Sequence, residues 1–114
     1  MKVAIIGSRN LSIENLEPYL PEDTEEIVSG GARGVDMSAR DYAISHHLRL
    51  TEFLPQYERY GRAAPLKRNV QIVEYADFVI AFWDGASRGT KFVIDQCRKL
   101  GRAHKVYITK NGIL

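Results

Sequence analysis

Cysteine is almost missing from this chain: Cys97 is the only one in 114 residues. No intramolecular disulfide can form, which sets aside the small disulfide-stapled secreted scaffolds and makes a reducing compartment the expectation. An excess of charge of one sign is missing too. Lys and Arg number 16 against 14 Asp and Glu, a formal net charge of +2, too small to name a partner by bulk electrostatics. No apolar run is long enough for a membrane span or a signal peptide, because Gly7-Ser8-Arg9-Asn10 interrupts the opening run. Low-complexity tracts, repeats and linkers are absent as well. What these absences leave is one soluble domain over residues 1–114, expected in the cytoplasm and without a membrane partner.

Glycine, in contrast, is concentrated. The stretch Ser29-Gly30-Gly31-Ala32-Arg33-Gly34-Val35-Asp36 holds three glycines, an arginine and a carboxylate in eight positions. A plain turn needs one or two glycines. A loop that presses its backbone N–H groups against an anion needs more.

Strand-length apolar clusters alternate with stretches of helical period. Residues 2–6 form a continuous run with Val and Ile, as expected of a strand buried on both faces. Ser12 is placed to cap a helix whose Ile13, Leu16 and Leu20 recur at helical spacing, with Pro21 just past its end. Residues 26–28 read as a second strand, and the glycine loop follows. Met37, Tyr42, Ala43 and Leu48 suggest a helix with His46 and His47 in its last turn, and residues 50–54 a third strand. Residues 56–64 read as a loop, and Pro65 as the first-turn proline of a helix with Leu66, Val70 and Val73 on one face. Residues 77–83 give a fourth strand, followed by a second glycine loop, Asp84-Gly85-Ala86-Ser87-Arg88-Gly89-Thr90. Phe92, Val93, Gln96, Cys97 and Leu100 mark a last helix stopped at Gly101, and residues 105–109 a fifth strand. Such alternation predicts a Rossmann-like α/β/α arrangement of three layers around a mostly parallel five-stranded sheet.

In an open parallel sheet, ligands bind outside the carboxyl ends of the strands. The segments there are Gly7-Ser8-Arg9, the loop of Ser29 to Asp36, a stretch with Tyr57, Tyr60, Gly61 and Arg62, and the loop of Asp84 to Thr90. Glycines, hydroxyls and arginines thus converge on one edge, and two glycine loops each open onto a helix N-terminus, which favours a phosphate or another anion. Arg9, Arg33, Arg62 and Arg88 are placed to add bidentate contacts. Asp36 is either a first-turn acid complementing its helix or a catalytic group, and Asp84 either fixes its loop or takes part in chemistry. Asn69, near a helix start in Pro65-Leu66-Lys67-Arg68-Asn69, is a ribose or phosphate contact in this reading. Trp83, Tyr57 and Tyr60 either stack on a base or pack at strand ends. The histidines belong to a solvated helix end, Cys97 to the core, and neither a metal nor a cofactor is expected.

Gly7-Ser8-Arg9, the loop of Ser29 to Asp36, Arg68-Asn69 and the loop of Asp84 to Thr90 together resemble the SLOG superfamily, in particular its branch of small YspA/YpsA-related proteins. The same order of motifs is similar to the Rossmann-like core of the DNA-processing protein DprA (Smf). The resemblance spans nearly the whole chain and implies a Rossmann-like fold that binds nucleotides or nucleotide-derived ligands. These motifs and the sheet-edge reading together give as binding residues Gly7, Ser8, Arg9, Ser29, Gly30, Gly31, Ala32, Arg33, Gly34, Asp36, Arg62, Arg68, Asn69, Asp84, Gly85, Ser87, Arg88, Gly89 and Thr90. The LOG enzymes of this superfamily cleave the N-glycosidic bond of cytokinin riboside monophosphates and carry a PGG-x-GT-x-x-E motif. Here Val93 stands at the position of their catalytic Glu. DprA proteins bind single-stranded DNA with parts beyond this core.

Three functions compete. The first is a sensor or binding module for a nucleotide-like signal. The second is an N-glycoside or phosphoribosyl hydrolase in which Asp36 or Asp84 stabilises an oxocarbenium-like centre or activates water. The third, less favoured, is single-stranded nucleic-acid binding through Arg33, Arg62, Lys67 and Arg68 with stacking aromatics. A short open sheet beside an apolar last helix also makes a homo-oligomer a reasonable expectation.

Overall fold

The computed structural model describes residues 1–109. Five strands form one sheet: β1 (Lys2–Gly7), β2 (Glu26–Ser29), β3 (Arg49–Glu52), β4 (Phe78–Trp83) and β5 (His104–Ile108). Their order is β3-β2-β1-β4-β5, and every pair is parallel. The helices are α1 (Val35–Ser45), a single turn α2 (Tyr57–Tyr60), α3 (Ala64–Tyr75) and α4 (Arg88–Leu100).

The period of two along the strands builds the layers. In β1, Val3 and Ile5 face one side, joining Ile27, Ile80 and Phe82 under α1 residues Val35, Ala39 and Ala43. Ala4 and Ile6 face the other, joining Val28, Val79 and Ala81 under Ile72 and Val73 of α3 and Val93, Ile94 and Cys97 of α4. The central strands are therefore apolar on both faces, which is why their sequences run without polar interruption. The fold is the Rossmann-like three-layer arrangement that the alternation predicts.

Two local expectations fail. Residues 12–20 do not form a helix; only Glu17–Tyr19 makes a single 3₁₀ turn. Pro18 would fall inside such a helix, where it removes a donor and clashes with the preceding turn. The segment instead crosses the α1 face of the sheet, burying Leu11, Ile13 and Leu16. Side chains meet its backbone instead: Ile13 N–H donates to Ser38 Oγ at 3.0 Å, and Glu17 N–H to Asn15 Oδ1 at 3.1 Å. The helix-like spacing of its apolar residues came from tertiary burial. Conversely, residues 56–64 are not irregular: α2 and a 3₁₀ turn at Gly61–Ala63 lead directly into α3.

The faces of α1 and α3 also differ from expectation. Met37 is 40% and Leu66 45% exposed, while α1 buries Asp36 and α3 buries Arg68. His46 and His47 lie just past α1, both exposed, with the His46 ring stacked on Tyr42. Gly101 stops α4 with a left-handed φ of 67°.

Candidate functional site

The strand order reverses between β1 and β4. From β1 the chain moves outward to β2 and β3, and from β4 to β5 on the other side. The loops leaving β1 and β4 therefore diverge and open a crevice at their carboxyl ends. A cleft of about 430 Å³ occupies that place. It is lined from four directions: Ser8, Arg9 and Asn10 after β1; Gly30, Ala32 and Asp36 after β2; Pro65, Arg68 and Asn69 on α3; and Asp84 with the first turn of α4 after β4. Ile6, Ile72 and Val93 supply its apolar wall.

The β1 and β4 loops are held to one another by polar contacts. Ser8 is 1% exposed. Its N–H donates to Phe82 O at 3.1 Å, and its Oγ accepts from Asp84 N–H at 3.2 Å. The Ser87 hydroxyl lies 2.9 Å from Ser8 Oγ and 3.2 Å from Asp84 Oδ2. Asp84 Oδ1 accepts from the N–H groups of Ala86 at 2.9 Å and Ser87 at 2.8 Å. These amide donors favour the carboxylate and hold its pKa down to about 2. Asp84 thus fixes the loop, with both oxygens engaged in it.

The loop sets the start of α4. Ser87 is the N-cap, but its side chain makes no capping bond to the helix. The first N–H groups of an α-helix have no intrahelical partner, and Arg88, Gly89 and Thr90 of this first turn all line the cleft. The first turn of α4 and the residues Arg9, Arg68 and Arg88 thus border one cleft.

The opposite wall is the loop from β2 to α1. Asp36, 6% exposed, closes this loop by accepting from Ala32 N–H at 3.1 Å through Oδ2. Burial pushes its pKa up, against the Ala32 amide and the charges of Arg68 and Arg9. Arg68, 7% exposed, donates through Nη1 to Gly30 O and, at 3.4 Å, to Phe53 O. Burial pulls its pKa down while the charge of Asp36 opposes this. Asp36 Oδ1 and Arg68 Nε are both buried with no hydrogen-bond partner.

Of the residues singled out in the sequence, Gly7, Ser8, Arg9, Gly30, Ala32, Asp36, Arg68, Asn69, Asp84, Ser87, Arg88, Gly89 and Thr90 meet around this cleft. Ser29, Gly31, Arg33, Gly34, Arg62 and Gly85 are not among its lining residues. Ser29 is buried below the β2 loop and accepts from Gly31 N–H at 3.3 Å. Arg33 and Arg62 are exposed. Gly34, expected to give a ligand close access to the backbone, serves packing: its φ is +75°, and a Cβ would lie 2.5 Å from Arg9 O. Lys67, Tyr57, Tyr60 and Trp83 are also absent from the lining. Trp83 Nε1 instead donates to Ser87 O at 3.0 Å, bracing the start of α4.

Sequence reasoning missed Asn10 and the apolar wall of Ile6 and Ile72. Asn10 adjoins the Gly7-Ser8-Arg9 motif, and that adjacency was its only signal. Ile6 reads only as part of a buried strand, and Ile72 carries no signal that sets it apart within its helix.

No family model, curated protein or solved structure matches the chain. Fold and cleft define it as a Rossmann-like α/β protein with an arginine-bearing crevice at the topological switch point of its sheet. No helix among the described residues is long and apolar enough to cross a membrane.

Proposed function

We propose that this chain binds a nucleotide or nucleotide-derived ligand in the switch-point cleft, acting as a sensor or binding module of the SLOG type. One observation carries the reading: the first turn of α4 and three arginines, Arg9, Arg68 and Arg88, line one cleft. Its volume of about 430 Å³ is in the range of small-molecule sites. The motifs that resemble the superfamily supply most of the lining. Thermal melting and calorimetry with a panel of nucleoside 5′-monophosphates, with inorganic phosphate alongside, test it. Saturable binding that weakens in Arg88→Ala is expected, and absence of binding by every nucleotide overturns the reading.

A second reading, N-glycoside hydrolysis, draws support from Asp36, a buried carboxyl whose raised pKa suits a proton donor. Against it, Val93 presents an aliphatic side chain to the cleft where the LOG enzymes carry their glutamate. Release of free base from the same nucleotide panel, lost in Asp36→Asn, separates the two.

A further inference from the structure

The net charge of +2 conceals two surfaces of opposite sign. On one side of the sheet lie α1 and the segment of residues 11–25. That segment exposes Glu14, Glu17, Glu22, Asp23 and Glu25 and contains no lysine or arginine. Beside it α1 exposes Asp41, and Arg40 is the one basic residue of that helix. A cleft of about 210 Å³ lies between the two, lined by Glu14, Asp41 and the Tyr42 ring among others. On the other side of the sheet lies α4. It exposes Arg88, Lys91, Arg98 and Lys99 against a single acid, Asp95, which Lys91 meets at 2.9 Å and Arg98 at 4.0 Å. Its neighbour α3 exposes Lys67 and Glu74, which leave the balance unchanged. Among the described residues, Glu14, Glu17, Asp41 and Lys99 have no ion-pair partner. Each surface also exposes an aliphatic side chain: Ile44 on α1, 61% exposed, and Leu100 on α4, 52% exposed.

We propose that the acidic surface of α1 and residues 14–25 docks the basic α4 surface of a second copy of this chain, so that copies join head to tail. The sheet separates the two surfaces, so one molecule cannot bring its own together, yet every copy carries both. A two-fold contact centred on either surface would set like charge against like, which costs free energy. A contact between unlike patches avoids this, and it generates a ring where the rotation closes and a filament where it does not. The cleft between Glu14 and Asp41, with an aromatic ring in its wall, fits an ammonium or guanidinium from α4. Lys99 is exposed and has no competing partner in its own chain. Complementary charge sets orientation and encounter rate, and Ile44 and Leu100 add apolar area to bury. A nucleic acid would use the basic surface alone and leave the acidic one without a role.

The test is analytical ultracentrifugation of nuclease-treated protein over a series of concentrations, at roughly 0.01 M and 1 M salt, where charges are screened over about 30 Å and 3 Å. The wild type should self-associate at low salt and dissociate at high salt. Two variants each neutralise one surface: Glu14→Gln with Glu17→Gln and Asp41→Asn, and Lys91→Gln with Arg98→Gln and Lys99→Gln. Arg88 stays in place because it lines the switch-point cleft. Each variant alone should associate roughly tenfold or more weakly than wild type, the sum of several exposed charge pairs. Mixed in equal amounts, the two should form heterodimers that grow no further, because each brings the one surface the other lacks. Circular dichroism verifies that both variants fold, and where one does not, the salt dependence of the wild type and the loss in the other variant decide. A wild type that stays monomeric at low salt overturns the proposal, as does association that salt and the variants leave unchanged. Variants that both lose association but do not complement each other on mixing overturn it as well, in favour of a two-fold contact. None of these outcomes bears on nucleotide binding, which is measured separately.

Discussion

The hydroxyls of Ser8 and Ser87 lie 2.9 Å apart across the point where the strand order reverses. Ser8 follows β1 and Ser87 starts α4, so this contact and the Asp84 N–H bond to Ser8 Oγ close the crevice floor between two diverging chain segments. The aim of the α4 N-terminus depends on a side chain 79 positions earlier in the chain.

Ser8→Ala removes that acceptor and leaves the Asp84 N–H unpaired. The bond is only half-buried, and a typical hydrogen bond contributes about 0.5–1.5 kcal/mol, so chemical denaturation should show a loss of that size. Any ligand held by the first turn of α4 should also bind less tightly. An unchanged unfolding midpoint would show that the two loops hold their places independently.

The two carboxyls of the cleft should pull stability in opposite directions with pH. Asp84 is held at about 2, below its ordinary 3.8. Its contribution is present above pH 3.8 and is lost as pH falls from 3.8 towards 2. Asp36 is raised above 3.8. Between 3.8 and that raised value the folded state keeps a proton the unfolded state has lost, so stability falls as pH rises through the window. Melting curves across pH should therefore show Asp36→Asn above wild type in Tm at neutral pH, with the advantage gone below pH 3.8. Asp84→Asn should lie below wild type at neutral pH, the gap closing near pH 2.

Gly30 and Gly34 should respond differently to alanine. At Gly34 the positive φ and the Arg9 backbone leave no room for a Cβ. Strain in such a conformation amounts to about 1–3 kcal/mol before the clash is added, and loss of the cooperative fold or a large fall in Tm is expected. At Gly30 the nearest atoms belong to the Arg68 guanidinium and the Asp36 carboxyl. Gly30→Ala should keep the far-ultraviolet circular dichroism of the wild type and lose affinity for nucleotides by displacing Arg68.

Arg88 lines the cleft and Arg33 does not. A charge-assisted hydrogen bond contributes about 1.5–3 kcal/mol, so Arg88→Ala should weaken nucleotide binding by roughly tenfold or more. Arg33→Ala should leave it unchanged. Arg88→Lys should restore part of the loss, since the ammonium supplies charge without the planar fork. Equal losses in the two alanine variants would place the ligand outside this cleft.

Much of this architecture was legible in the chain itself. Continuous apolar runs at Val3 to Ile6 and Val79 to Phe82 identify central strands, because only a strand covered on both faces can be apolar throughout. Strand and helix in alternation then require parallel pairing, and parallel pairing places Ser8, Asp36 and Asp84 at one edge. Tertiary structure alone decided what lies between these local signals. Leu11, Ile13 and Leu16 cover the sheet without a helix, since burial and a proline outweighed a spacing that matched the helical period. Arg68 sits on the buried face of α3 where Leu66 was expected, because that face borders the cleft and the Gly30 carbonyl accepts the guanidinium. Gly34 is a glycine for Arg9, not for a ligand, and Arg33 turns to solvent from within the same motif as Asp36. A motif records which residue types occur together. Which of them face a common space depends on the helix phase and loop path that distant packing imposes.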